Sequence, residues 1–73
     1  MREVEINKEP VELYKILKFE GLAENGGSAK LMIGEGAVQV NGEVETRKRR
    51  KIVGGDVIVF QGETLNVSLV AEG

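Results

Sequence analysis

The segment Val38-Gln39-Val40-Asn41-Gly42-Glu43-Val44 constrains this chain more than any other stretch. Apolar and polar residues alternate along its first arm, which is the period of a half-buried strand. Asn-Gly then fills the two positions of a tight hairpin turn, where both residues need φ > 0. A β-hairpin is therefore predicted here, and the flanking residues must supply whatever covers its apolar side.

The upstream residues have a different period. Leu13, Ile16 and Leu17 are spaced i, i+3, i+4 and form one apolar stripe of a helix. Pro10 suits a first helical turn, where its missing N–H is not needed. Gly21 suits the position just past a helix end. The spacing predicts a first helix over residues 10–20. Ala29, Met32 and Ile33 repeat the pattern, so a second helix of about two turns should begin near Ser28. Asn25, Gly26 or Gly27 would cap it, and Gly34 and Gly36 would end it. Ahead of both helices, Val4 and Ile6 alternate with charges in a short strand that residues 7–10 interrupt.

Downstream, Glu43–Thr46 begins the return strand. Gly54-Gly55-Asp56 and Gln61-Gly62-Glu63 read as turns around Val57–Phe60, a continuous apolar strand, and Leu65, Val67 and Leu69 alternate in a last strand. The predicted order is β-α-α-β-β-β-β. It describes an α+β domain with two short helices, joined as a helix–loop–helix, packed on a small antiparallel sheet.

Residue types narrow the chemistry. A chain of 73 residues allows one domain, 1–73, with a modest core. It has no Cys, no His and a single Asp, so disulfides and the usual zinc ligands are absent. Ser28 and Ser68 have no evident base. Gly34-Glu35-Gly36-Ala37 and Gly54-Gly55-Asp56 match neither a P-loop nor a dinucleotide fingerprint, and their glycines read as turn residues. No catalytic residue, metal site or cofactor is expected. No apolar run approaches the roughly 20 residues of a membrane helix. Met1-Arg2-Glu3-Val4-Glu5 is no secretory signal. A soluble cytoplasmic protein, monomeric and without a membrane partner, is expected.

The charge is distributed unevenly. Arg47, Lys48, Arg49, Arg50 and Lys51 are half of the 10 Lys and Arg, so everything outside this run has a net charge of −7 against −2 for the whole chain. In an extended segment Arg47, Arg49 and Lys51 would point one way, and Lys48 and Arg50 the other. Neither set is easily buried, so the run should be a loop or edge segment with most cations in solvent. It could simply balance Glu43, Glu45 and their neighbours. Five clustered cations exceed that need, and three are Arg, the better bidentate phosphate ligand. The clustering favours a phosphate-contacting strip.

Two further places could meet an anion. At Gly26-Gly27-Ser28-Ala29-Lys30, free N–H groups of the second helix would attract phosphate, with Lys30 beside them. A flexible cap with an incidental Lys explains the same residues equally well. Lys15 and Lys18 lie opposite the apolar stripe of the first helix. Tyr14, four residues before Lys18, could stack on a base, although packing is the commoner role of such a Tyr.

This order of pieces resembles a known family. Leu13-x-x-Ile16-Leu17-Lys18, Gly21-Leu22, Gly27-Ser28-Ala29-Lys30, Ile33, Gly36-x-Val38-x-Val40-Asn41-Gly42 and Gly55-Asp56-Val57-Ile58 look like the RNA-binding domain first recognised in ribosomal protein S-four, also called the αL motif. The resemblance covers about residues 13–60. Glu45-Thr46-Arg47-Lys48-Arg49 and Lys51-Ile52-Val53 look closest to the small stand-alone bacterial members, the YbcJ type. The resemblance implies a helix–loop–helix on a small antiparallel sheet, with RNA docking on the helices and the adjacent hairpin. Carried onto this chain, it implicates Lys15, Lys18, Gly27, Ser28, Lys30, Asn41, Gly42, Arg47, Lys48, Arg49, Arg50 and Lys51. Many members carry Arg just before the first helical Leu, where this chain has Glu12.

The expected function is non-enzymatic binding of structured RNA, ribosomal or transfer, by phosphate and shape contacts. The ribosome or an RNA-processing protein could also be a partner. An alternative is a protein-interaction module of a ribosome-assembly or RNA-processing complex, whose basic strip meets an acidic partner. A ubiquitin-like sulfur carrier would fit the size, but Ala71-Glu72-Gly73 lacks the terminal Gly-Gly such carriers use.

Overall fold

Helix α1, Leu13–Phe19, begins three residues later than the predicted span of 10–20. Strand β1 covers Arg2–Ile6, and strand β2, Val11–Glu12, occupies the predicted first helical turn. Pro10 precedes it, and the Glu9–Pro10 peptide bond is cis. β2 pairs antiparallel with β5, Lys51–Ile52, and the first two helical N–H groups, of Leu13 and Tyr14, donate to the carbonyls of Arg50 and Lys48. Tertiary acceptors thus serve N–H groups that a longer helix would have used internally. The computed structural model describes residues 1–70. The tail Ala71-Glu72-Gly73, on which the sulfur-carrier comparison turned, lies outside the described residues.

Both helices stop by the same device. Gly21 (φ 75°) donates to the Lys18 carbonyl and Leu22 to that of Leu17. Helix α2, Gly26–Gly34, ends with Gly36 (φ 82°) donating to Ile33 and Ala37 to Met32. Each is a Schellman ending, which needs a residue tolerant of the left-handed region. Gly34 is thus the last residue of α2, and Gly36 supplies the left-handed residue of its ending. At its other end Asn25 is the cap, and its Oδ1 accepts the Ser28 N–H at 2.8 Å.

The strands β3 (Val38–Val40), β4 (Glu43–Val44), β6 (Val57–Phe60) and β7 (Glu63–Leu69) join β1 in one sheet of order β1-β7-β6-β3-β4. All neighbours are antiparallel except β1 and β7, which run parallel, so the small sheet is mixed. Asn41-Gly42 and Gln61-Gly62 make the hairpin turns with positive φ at both residues. The register aligns Val38 with Phe60, and Val40 with Ile58, which in turn faces Leu65. That row of inward residues packs under Leu13, Leu17, Ala29 and Ile33 of the helices, and all of these side chains are buried. Helix–loop–helix on sheet is the predicted architecture.

The return strand is shorter than predicted. β4 ends at Val44, and the main chain then leaves the sheet through residues 45–50. The Arg50 N–H bonds back to the Arg47 carbonyl at 3.2 Å, so the basic run is a tight turn.

Candidate nucleic-acid interface

The turn changes where the cations point. An extended strip would alternate them, but residues 47 and 50 of a closed turn fall on one side. Arg47 and Arg50 converge on Glu45, which is 6% exposed. The Arg47 main-chain N–H and Nε donate to Glu45 Oε2 at 2.9 and 3.0 Å. Arg47 Nη2 and Arg50 Nη1 donate to Oε1 at 2.9 and 2.8 Å. Bonds from Arg47, then from Arg50, hold the Glu45 carboxyl far below the usual carboxylate range, against the opposing effect of burial. The same pairing pushes the Arg47 guanidinium further up. Glu45 is thus an internal anchor of the strip rather than a solvated counter-ion. Arg47 still has 73% of its side chain exposed, whereas Arg50 has only 29%.

The rest of the strip is tied to the helices. Arg49 Nε lies 3.8 Å from Glu12, whose other oxygen lies 3.3 Å from Lys15 Nζ. Lys48 lies along the end of α2, close enough that a Cβ on Gly34 would come 3.3 Å from its Cε. That position suits a cation, because the last carbonyls of a helix carry partial negative charge. Arg47, Arg49, Arg50 and Lys51 line a shallow surface hollow.

A second group forms around Tyr14. Lys30 Nζ stands 4.5 Å from its ring centroid and Lys15 Nζ 6.0 Å. A Cβ on Gly26 would touch the same ring at 3.5 Å, so the half-buried Tyr14 packs against the start of α2. Packing, not exposure for stacking, is its evident role. Lys18 turns away from Tyr14 and lies 5.2 Å from the ring of Phe19, an exposed aromatic that sequence reasoning passed over. With Ser28 bonded to its cap, the N–H groups of Gly26 and Gly27 have no acceptor within the helix. Lys15 links the two groups, so one continuous face runs from the start of α2 across Tyr14 to the strip.

Asn41 and Gly42 form the hairpin turn between β3 and β4. Asn41 Nδ2 donates to Asp56 at 3.0 Å, and its Oδ1 accepts the Val57 N–H at 2.9 Å. Asp56 also accepts the Val53 N–H at 2.9 Å. The Asn41 amide therefore clasps the 53–57 turn to the hairpin. Glu45 is the functional candidate that sequence reasoning missed, and the hairpin register could have found it. A two-residue turn places Glu45 opposite Val38, on the inward face. Its N–H donates to the Val38 carbonyl at 2.9 Å.

Known proteins share this arrangement. The pattern of the S4 domain matches residues 4–68. YbcJ of Escherichia coli (strain K12) is 51% identical over 63 residues, 85% of this chain and 90% of that protein. "Probable ribosome maturation protein RlbA" of Bacillus subtilis (strain 168) is 36% identical over 59 residues, 81% of this chain and 83% of that one. The solution structure of E. coli YbcJ, described as revealing an αL motif involved in RNA binding, superposes with a TM-score of 0.71. That alignment has 48% identity and covers 93% of this chain and 87% of that chain. No helix among the described residues is long and apolar enough to cross a membrane. On its sequence and its fold alike, the chain belongs to the S4 domain family, the non-catalytic RNA-binding modules that carry the αL motif.

Proposed function

We propose that this chain is a cytoplasmic, monomeric binder of structured RNA, ribosomal or transfer, and that it reads backbone shape rather than base sequence. The observation that carries the reading is the basic turn fastened onto the first helix. The carbonyls of Lys48 and Arg50 accept the first N–H groups of α1, so the cations hold a fixed position relative to the helix–loop–helix. The contacting residues are Arg47 to Lys51, Lys15, Lys30 and the Gly27-Ser28 helix start, with Lys18 at the margin. Asn41 and Gly42 serve this face by holding the hairpin. Between the two RNA classes, ribosomal RNA is favoured by the name of the B. subtilis relative, which assigns that protein to ribosome maturation.

The test is filter binding of ribosomal and transfer RNA at several salt concentrations, with circular dichroism as the folding control. Changing Arg47, Arg49 and Arg50 together to Ala should abolish binding and leave the fold intact. Removing one phosphate-binding cation lowers the salt slope by about one and weakens all sequences alike. If a folded triple variant binds with parental affinity and salt dependence, the strip is solvated charge. An acidic protein partner then becomes the better reading.

A further inference from the structure

We infer that Glu45 is a positioning residue for RNA binding, which presents Arg47 and Arg50 to phosphates as a preset pair. The inference rests on the proposed reading of the strip as a phosphate face. A carboxylate inside such a face is unfavourable by charge alone, since it repels the ligand and cancels one of its two arginines. Glu45 is also no solvated counter-ion, because it is turned inward and accepts four hydrogen bonds from the strip itself.

The pattern of those bonds gives the carboxylate a use. It takes one edge of the Arg47 guanidinium, through Nε and Nη2. The end-on fork of Nη1 and the second Nη2 hydrogen remains available for a phosphate. Arg50 gives up a single Nη1 hydrogen and keeps its other donors. The fourth bond, from the Arg47 main chain, pins the start of the turn whose end is closed by Arg50 N–H on the Arg47 carbonyl. Two long side chains and their backbone are therefore ordered before any ligand arrives. An ordered guanidinium loses less freedom on binding than a mobile one.

Charge and positioning predict opposite signs, which makes the inference testable. Glu45→Gln raises the net charge by one. If only charge matters, RNA binding tightens and its salt slope steepens. Under positioning, binding weakens by about tenfold, the scale of one charge-assisted hydrogen bond, and the slope falls by about one. Arg47→Lys keeps the charge but loses the fork, and should weaken binding similarly. It also remains decisive if Glu45→Gln fails to fold, because the Arg47 side chain is 73% exposed. The measurements are filter binding of ribosomal RNA at two salt concentrations and the NMR exchange rate of the Arg47 Nε–H. That proton should exchange slowly in the parent and rapidly in Glu45→Gln, with the core amide signals unmoved. Tighter or unchanged binding by folded Glu45→Gln overturns the inference, and so does parental affinity in Arg47→Lys. A parent that binds no RNA defeats the functional reading, and the inference falls with it.

Discussion

The acid limb of the stability curve should carry the signature of Glu45. The perturbation is Glu45→Gln, which keeps the shape and removes the charge. At neutral pH the native carboxylate accepts three bonds from guanidinium groups and one from the main chain, all between 2.8 and 3.0 Å. A bond to a charged group contributes about 1.5–3 kcal/mol. Water replaces much of that for an exposed donor such as Arg47, so its share is heavily discounted. The net loss on substitution should be about 2–4 kcal/mol, against a total stability of about 5–15 kcal/mol for a domain. The pH sign follows from the lowered pKa. An unfolded Glu takes up its proton near pH ~4.3, while the folded Glu45 stays ionised well below that. Glu45 thus stabilises the fold fully above the unfolded value and progressively less as pH falls beneath it. The gap between the parent and Glu45→Gln should hold from neutral pH down to about pH 5 and then narrow as pH falls towards ~3, without closing there. The assay is urea unfolding of both proteins across that range, followed by circular dichroism. A stability gap as wide at low pH as at neutral pH would refute the argument, because it would show that the charge of Glu45 does not stabilise the fold.

Three further outcomes are expected. Leu17 is fully buried between helix and sheet, so Leu17→Ala should cost about 2–5 kcal/mol in thermal or urea unfolding. Gly36 holds φ at 82° to end α2, and its Cβ would touch Val44 at 3.5 Å, so Gly36→Ala should cost about 1–2 kcal/mol by the same assays. In amide NMR, a phosphate titration should move Gly27, Ser28 and Ala29 together, whereas shifts confined to residues 47–51 would remove the α2 start from the proposed face.

The parts of this fold that depend on local pattern were legible in the sequence. The Leu13/Ile16/Leu17 stripe and the Asn41-Gly42 turn set a helix face and a hairpin, and both are found. The parts decided by distant partners were not. Nothing local at Val11-Glu12 announces pairing with Lys51-Ile52, and that pairing delays α1 by three residues relative to the predicted start. The parallel seam between β1 and β7 joins opposite ends of the chain, where alternation signals a strand but not its neighbour. The basic run was visible as charge, yet its side-chain directions depended on a turn that its residue types do not encode. Glu45 lay between these cases. The hairpin register places it inward, but a carboxylate there is interpretable only once two arginines are known to meet it.

The departure at Glu12 has a related physical meaning. Where many family members carry Arg, this chain has a carboxylate that lies within 4 Å of both Lys15 and Arg49. These are loose, partly exposed pairs, worth little to stability and weakened by salt. Their effect on a ligand is larger. A phosphate approaching Lys15 or Arg49 must displace or share the Glu12 carboxylate, while one approaching Arg47 finds a fork that Glu45 leaves open. With two carboxylates set among its cations, the face has less net charge than its count of Lys and Arg suggests. On the proposed reading, binding would rely on where the guanidinium edges point more than on charge density. On the same reading, the acidic body behind such a face would repel RNA that arrives from any other side. Uneven charge and internal carboxylates together favour a ligand whose phosphates match the spacing of the turn and the first helix, as in folded RNA, over one that offers only negative charge.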